Sequence, residues 1–189
     1  MRYNLKSFYT IDVLPEHSSL RDIVLSKIIE SNNQSIQPEN SSQISISLDG
    51  LDWERSSDFS RDWIKILAPV IVNQLQIIGN EYGFKDPLIT DMWFQQYNVK
   101  NYHGWHHHGN TFTGVYYLEF PEGSPKTQLL CPMTHEVMEA DVKEGDILIF
   151  PSYLIHKAPK VNEHRKTIVS WNMAYENFSD SMMSILQEK

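Results

Sequence analysis

The stretch Tyr97-Asn-Val-Lys-Asn-Tyr-His-Gly-Trp-His106-His-His108 runs on through Thr113-Gly-Val-Tyr-Tyr117-Leu118, and its reading decides the fold. A cluster of imidazoles is followed at once by a strong strand pattern. Roughly forty residues later Gly145-Asp-Ile-Leu-Ile-Phe-Pro-Ser-Tyr-Leu-Ile-His156 supplies a second apolar strand and another histidine. Arg165-Lys-Thr-Ile-Val-Ser-Trp171-Asn172 then forms a third, opening on a cation. On a strand, residues i and i+2 point to the same side, so His106 and His108 face one way and His107 the other.

Outward from this centre, the character is β from Leu88 onward. Segments 93–99, 112–120, 128–131, 139–142, 147–150 and 166–171 read as strands, separated by turn signals at Pro121-Glu-Gly123, Glu144-Gly-Asp146 and Pro159. Upstream, Phe8–Val13 reads as a strand or extended arm. Ser19-Leu-Arg-Asp22 has a capping-box pattern, and Leu20, Ile23, Val24 and Ile28 then form one face of a helix ending near Glu30. Residues 31–42 are rich in Asn, Gln and Ser and read as a surface loop, and Ile44–Leu48 alternates as a short strand. Ser57-Asp58 offers a cap for a longer helix carrying Trp63, Ile66, Leu67 and Val70, which Pro69 is expected to kink or split. A short helix is expected after Ser179.

Helices first and many short strands afterwards predict a mainly β fold with supporting α-helices: a sandwich or small barrel backed by helices on one side. The 189 residues read as one domain (1–189), helical support to about residue 87 and β core over about 88–173. A net charge of −8 does not indicate nucleic acid or an anionic membrane as the main partner. The single cysteine, Cys131, excludes an intramolecular disulfide framework and suits a reducing compartment. With no signal-peptide pattern and no bilayer-length apolar run, a soluble, cytoplasmic protein is expected.

Neutral imidazole suits iron, zinc, copper or nickel. His106 and His108, joined by His156 from a distant strand, would occupy one triangular face of an octahedron. The competing reading of 106–108 is a polar, partly exposed turn, and His156 alone could be an ordinary core histidine. His17, His103, His135 and His164 lack partners at ligand spacing and read as surface residues, His103 being near enough to the cluster to be an outside candidate. Arg165 likewise has two readings: a solvated charge paired with Glu163, or a guanidinium binding a carboxylate in bidentate fashion. Arg165, Thr167, Val169 and Trp171 share one strand face, as do Trp93, Gln95 and Tyr97, and Thr113, Val115 and Tyr117.

Taken in order, His106-His-His108, Tyr116-Tyr117-Leu118, Gly145-Asp-Ile-Leu-Ile-Phe-Pro-Ser152, His156 and Arg165 resemble the Fe(II)/2-oxoglutarate-dependent oxygenases. The likeness is to the prolyl-hydroxylase-like branch and covers about Leu88 to Met173. It implies a double-stranded β-helix (distorted jelly roll, cupin-like) that uses Fe(II) with 2-oxoglutarate as cosubstrate. It further implies dioxygen and an unidentified prime substrate as reaction partners, in a hydroxylase-type dioxygenase. By position, His106 and His156 match the two histidine ligands and Arg165 the anchor of the cosubstrate's distal carboxylate. Tyr117 and Tyr97 match tyrosines around the cosubstrate, Thr167 is a further candidate, and Trp171 matches an aromatic that closes the pocket. The departure is His108, where most members have aspartate, although the uncharacterised bacterial and phage-type relatives also carry histidine there. The alternatives are a non-catalytic jelly-roll binding module with a vestigial metal pocket, and a three-histidine dioxygenase that does not use 2-oxoglutarate. Loops 99–105 and 132–138 are expected to flank the mouth.

Overall fold

A computed structural model describes residues 8–32, 46–48 and 50–187. The described chain runs β1 (Thr10–Val13), α1 (His17–Asn32), β2 (Ile46–Ser47), β3 (Gly50–Leu51), a 3-10 turn (Trp53–Arg55) and α2 (Asp62–Glu81). It continues through β4 (Phe84–Tyr97), β5 (Tyr102–His106), β6 (Phe112–Glu119), β7 (Gln128–Leu130) and β8 (Val137–Glu139). The last elements are β9 (Asp146–Pro151), β10 (His156–Ala158), β11 (Lys166–Phe178) and α3 (Asp180–Gln187). Two antiparallel sheets result. The larger has the order β1-β9-β6-β11-β4-β3 and the smaller β2-β5-β10-β7-β8, the two sides of a jelly roll.

The alternation of the large-sheet strands divides the apolar residues into two cores. Met92, Phe94, Tyr116, Leu118, Ile147, Ile149, Val169, Trp171 and Met173 face outward and are covered by the helices. Val24, Leu25 and Ile28 of α1 and Trp63, Ile64, Leu67, Ile71 and Leu75 of α2 supply the cover. The opposite residues, among them Tyr97, Val115, Tyr117, Leu148, Phe150 and Ile168, pack between the sheets with Leu129 and Ala158.

Several expectations are met and several are revised. Trp63 is 1% exposed at the centre of the helix–sheet layer, where its ring meets Phe94 edge-on at 6.0 Å. Ile66 and Val70 are only partly buried, so the working stripe of α2 is 63/64/67/71/75. Pro69 does not split α2, which runs unbroken for 20 residues. The helix begins at Asp62 rather than at Ser57-Asp58, and Asp58 instead accepts the Ser60 amide (3.0 Å) within the preceding turn. Ile23 is half exposed, and Leu20, Val24, Leu25 and Ile28 form the buried face of α1.

β4 starts at Phe84, ahead of the boundary expected near residue 87, and pairs with β11 through Pro87. β8 lies at 137–139, ahead of the expected segment, because Gln128–Leu130 pairs there. The reading of residues 31–42 as a loop falls mostly outside the described residues, as does the start of the strand expected at Ile44.

Gly114 explains itself in this layer. A Cβ there would lie 2.1 Å from the Trp171 indole, so only glycine lets β6 pass beneath that ring. No helix among the described residues is long and apolar enough to cross a membrane.

Candidate metal centre

The site forms where β5 and β10 pair. His106 lies directly opposite His156, and a register shift then sets His103 opposite Ala158. That irregularity brings His103 and His106 to the same side although they are three residues apart. His108 sits just past the end of β5, where its amide donates to the Ser152 carbonyl at 2.9 Å. Ser152, the last residue of the Gly-Asp-x-x-x-Phe-x-Ser motif, also shares a hydrogen bond with Thr113 Oγ1 at 2.8 Å. The motif serine therefore places the third histidine. His107 is exposed, as the alternation requires.

One nitrogen from each of His106, His108 and His156 lies within 4.8 Å of the others. The ring of His106 is 4.2 Å from that of His156 and 5.1 Å from that of His108. Two of the three tautomers follow from hydrogen bonding. His106 Nδ1 lies 2.8 Å from the Gly104 carbonyl and His156 Nδ1 lies 2.9 Å from the Leu154 carbonyl. A carbonyl only accepts, so each Nδ1 carries the hydrogen and each Nε2 offers a lone pair.

Burial lowers the pKa of all three. His108 falls to about 4, His156 well below its ordinary value, and His106 below its own, with the neighbouring imidazoles adding to the effect in His108 and His156. Three neutral donors at this spacing fit a divalent first-row metal. Of the carboxylates, Asp91 acts on His108 and slightly opposes its shift. Its oxygens accept from Thr90 (2.9 Å) and Ser56 (3.4 Å).

A fourth imidazole supports the cluster. The ring of His103 stacks on His106 at 3.8 Å and 10°. Gln95 Nε2 lies 3.1 Å from His103 Nδ1, and Gln95 Oε1 accepts from the Tyr97 hydroxyl at 3.0 Å. The Tyr97–Gln95–His103 chain fixes the ring against which His106 rests. His103 is thus buried rather than a surface residue, with its pKa lowered to about 3 chiefly by burial. Trp93 lines the other side, its ring 5.7 Å from His108, and the 43% exposed Trp53 packs edge-on against it at 4.3 Å.

The cavity is lined by Trp93, Gln95 and Tyr97 of β4, by the four histidines, and by Thr113, Val115, Thr127, Ile168 and Ser170. Ile168 and Ser170 are the even residues of β11, which corrects the expected face. Arg165, Thr167 and Trp171 lie on the other side of the large sheet. Arg165 makes a bidentate pair with Glu119 (3.0 and 2.8 Å), and Thr167 Oγ1 donates to the same carboxylate at 2.8 Å. Trp171 belongs to the helix-side core. The physical reason is parity: one residue along a strand reverses the face, and the helices of this chain cover the odd side of β11.

The inward residue at the start of β11 is Lys166, 1% exposed. Its Nζ donates to the Pro125 carbonyl at 2.7 Å and lies 4.9 Å from the Tyr97 ring and 5.5 Å from that of Phe120. No carboxylate among the described residues forms a salt bridge with it, and burial lowers its pKa to about 7. Nearby, the Tyr117 hydroxyl donates to Thr127 Oγ1 at 2.7 Å, and burial raises the pKa of both Tyr117 and Tyr97. The sequence carried a signal for Lys166, since Lys166, Ile168 and Ser170 alternate onto the same face of the sheet as Gln95 and Tyr97. The register that pairs Ile168 with Gln95 was needed to use it.

No protein-family model matches the sequence, and neither does any curated protein. Solved structures do match. A prolyl-4-hydroxylase from Pseudomonas putida superposes with a TM-score of 0.64 at 11% identity, over 91% of this chain and 95% of that one. The viral collagen prolyl hydroxylase of Paramecium bursaria Chlorella virus-1, solved as a 2-oxoglutarate complex, gives 0.61 at 16% identity, over 88% and 96%. A non-heme α-ketoglutarate-dependent epimerase from nogalamycin biosynthesis gives 0.65 at 10% identity, over 95% and 83%. The structural neighbours of this chain are thus prolyl-4-hydroxylases and other 2-oxoglutarate–Fe(II) oxygenases, the branch its motifs resemble, and what it shares with them is the jelly-roll fold.

Proposed function

We propose that the chain is a dioxygenase that binds Fe(II) through His106, His108 and His156 and takes 2-oxoglutarate as cosubstrate. The observation that carries this reading is Lys166, a buried lysine with no ion pair to any described residue, on the side of the large sheet that faces the metal-ligand cluster. A buried ammonium with one hydrogen bond has donors to spare, and a carboxylate would satisfy them. Tyr97, Tyr117 and Thr127 add the aromatic wall and hydroxyls around that end. Lys166 thus takes the role expected of Arg165, whose guanidinium Glu119 already occupies.

Iron bound with 2-oxoglutarate would supply the oxygen-activating chemistry that couples decarboxylation of the cosubstrate to oxidation of a second substrate. The chain's own contributions are positional. Gly104 and Leu154 hold two ligand imidazoles in the donating tautomer, and His103 braces the His106 ring. Trp53, partly exposed and in contact with Trp93 beside His108, marks the side from which the prime substrate would approach. The single Cys131 suits an intracellular, reducing setting.

The test is succinate release from 2-oxoglutarate with Fe(II) and no added prime substrate, expected in the intact chain and lost in His106→Ala. The absence of a carboxylate from the ligand set favours a second reading, a binding module that holds metal and 2-oxoglutarate without turnover. Binding of both without any succinate would select it. A three-histidine dioxygenase that attacks its substrate directly would have no use for Lys166.

A further inference from the structure

The ligand set carries no negative charge, and this has consequences for when the metal is held. His106, His108 and His156 each offer a metal only the lone pair of a neutral imidazole. A divalent ion placed there keeps its full +2 in a partly buried cavity. None of the described residues that line the cavity is acidic, Lys157 among them is a cation, and Lys166 lies inward on β11. The Asp91 carboxylate is turned to Thr90 and Ser56. Glu119, which could have compensated Lys166, lies across the sheet and is bound by Arg165 and Thr167. An uncompensated buried dication is costly, whereas a dication with a dianion beside it is neutral.

We propose that this chain holds its metal conditionally: the metal and a dicarboxylate 2-oxo acid bind as one charge-compensated unit, and His108 makes each depend strongly on the other. The proposal rests on the reading of the site as one for metal and 2-oxoglutarate. The loaded fraction of the protein then follows the supply of the dicarboxylate as well as that of the metal. By linkage the coupling is reciprocal, so the factor by which 2-oxoglutarate tightens the metal equals the factor by which the metal tightens 2-oxoglutarate.

The experiment titrates Mn(II) into the full chain, following free Mn(II) by electron paramagnetic resonance, alone, with 2-oxoglutarate and with 2-oxobutyrate. 2-Oxobutyrate keeps the chelating 2-oxo acid but lacks the second carboxylate. Saturating 2-oxoglutarate is expected to tighten Mn(II) by about 100-fold or more, toward the upper end of ordinary site–site coupling. 2-Oxobutyrate is expected to give a clearly smaller factor. His108→Asp is expected to bind Mn(II) more tightly on its own and to show a several-fold smaller factor with 2-oxoglutarate.

Equal Mn(II) affinity with and without 2-oxoglutarate, while calorimetry shows that both bind, overturns the proposal and leaves the functional reading standing. So does an equal boost from the two acids, a measurement on the unmodified chain that does not depend on the variant folding. Failure of 2-oxoglutarate to bind the Mn(II)-loaded chain at all removes both.

Discussion

The two faces of β11 do different work with residues that alternate one by one. On the outer face, Val169, Trp171 and Met173 sit under two helices in an apolar layer. On the inner face, Lys166 and Ser170 are equally buried but polar, and they flank the cavity that the four histidines line. The outer face is therefore a source of stability. The inner face spends stability on a cation with one hydrogen bond and on imidazoles held neutral. The comparison teaches that burial alone does not separate core from site. What separates them is whether buried polar groups have found partners within the chain.

The largest expected effect belongs to the outer face. Trp63→Ala should lower unfolding free energy by about 3–5 kcal/mol, measured by urea denaturation, while metal affinity measured under folded conditions stays within a few-fold. A loss below about 1 kcal/mol would mean that the helix layer is not the dominant core.

The next effect contrasts adjacent residues. Lys166→Ala should weaken 2-oxoglutarate by tenfold or more in calorimetry, whereas Arg165→Ala should leave its affinity nearly unchanged and cost only about 0.5–1 kcal/mol of stability, its ion pair being partly solvent-exposed. The reverse result would restore Arg165 as the anchor and turn the faces around. Because burial sets the Lys166 pKa near 7, its protonated, dianion-binding form is depleted as pH rises. Affinity for 2-oxoglutarate should therefore fall between pH 7 and 9 in the parent and lose that dependence in Lys166→Met.

A further effect is on acid stability. His103 and His108 are lowered to about 3 and about 4, below the unfolded value near 6.5. On acidification the unfolded chain takes up protons first, so their contribution is complete above pH 6.5 and drains away as pH falls toward 3. Metal-free protein followed by thermal melting should lose stability through this window, and less so in His103→Phe, which lacks one of the two groups.

How much of this was legible in the sequence depended on periodicity. The alternation in 112–118 and 147–150 placed strands correctly, and the i, i+2 rule put His107 outside and His106 and His108 together. The same rule grouped Arg165, Thr167 and Trp171 correctly. It said nothing about which side of the sheet the helices would cover, and the family resemblance led to the arginine rather than to the lysine beside it. His103 reads from the sequence as no more than an outside candidate because three-residue spacing is wrong for a regular strand, and only the register shift against β10 brings it inward. Pro69 was misjudged because helix packing over its neighbours Leu67 and Ile71 outweighs one missing backbone donor.

The pairing of His106 with His156 also bears on the order in which the molecule assembles. The two imidazoles are 50 positions apart in the chain, yet their strands are immediate neighbours. No fragment ending before His156 can hold the complete triad. Closing so long a loop is entropically late work, after the local pairing of β7 with β8 and the docking of α1 on α2. The smaller sheet should therefore be the last part to close and the first to open. A bound metal, gripping both strands at once, would act mainly as a brake on unfolding rather than as a spur to folding.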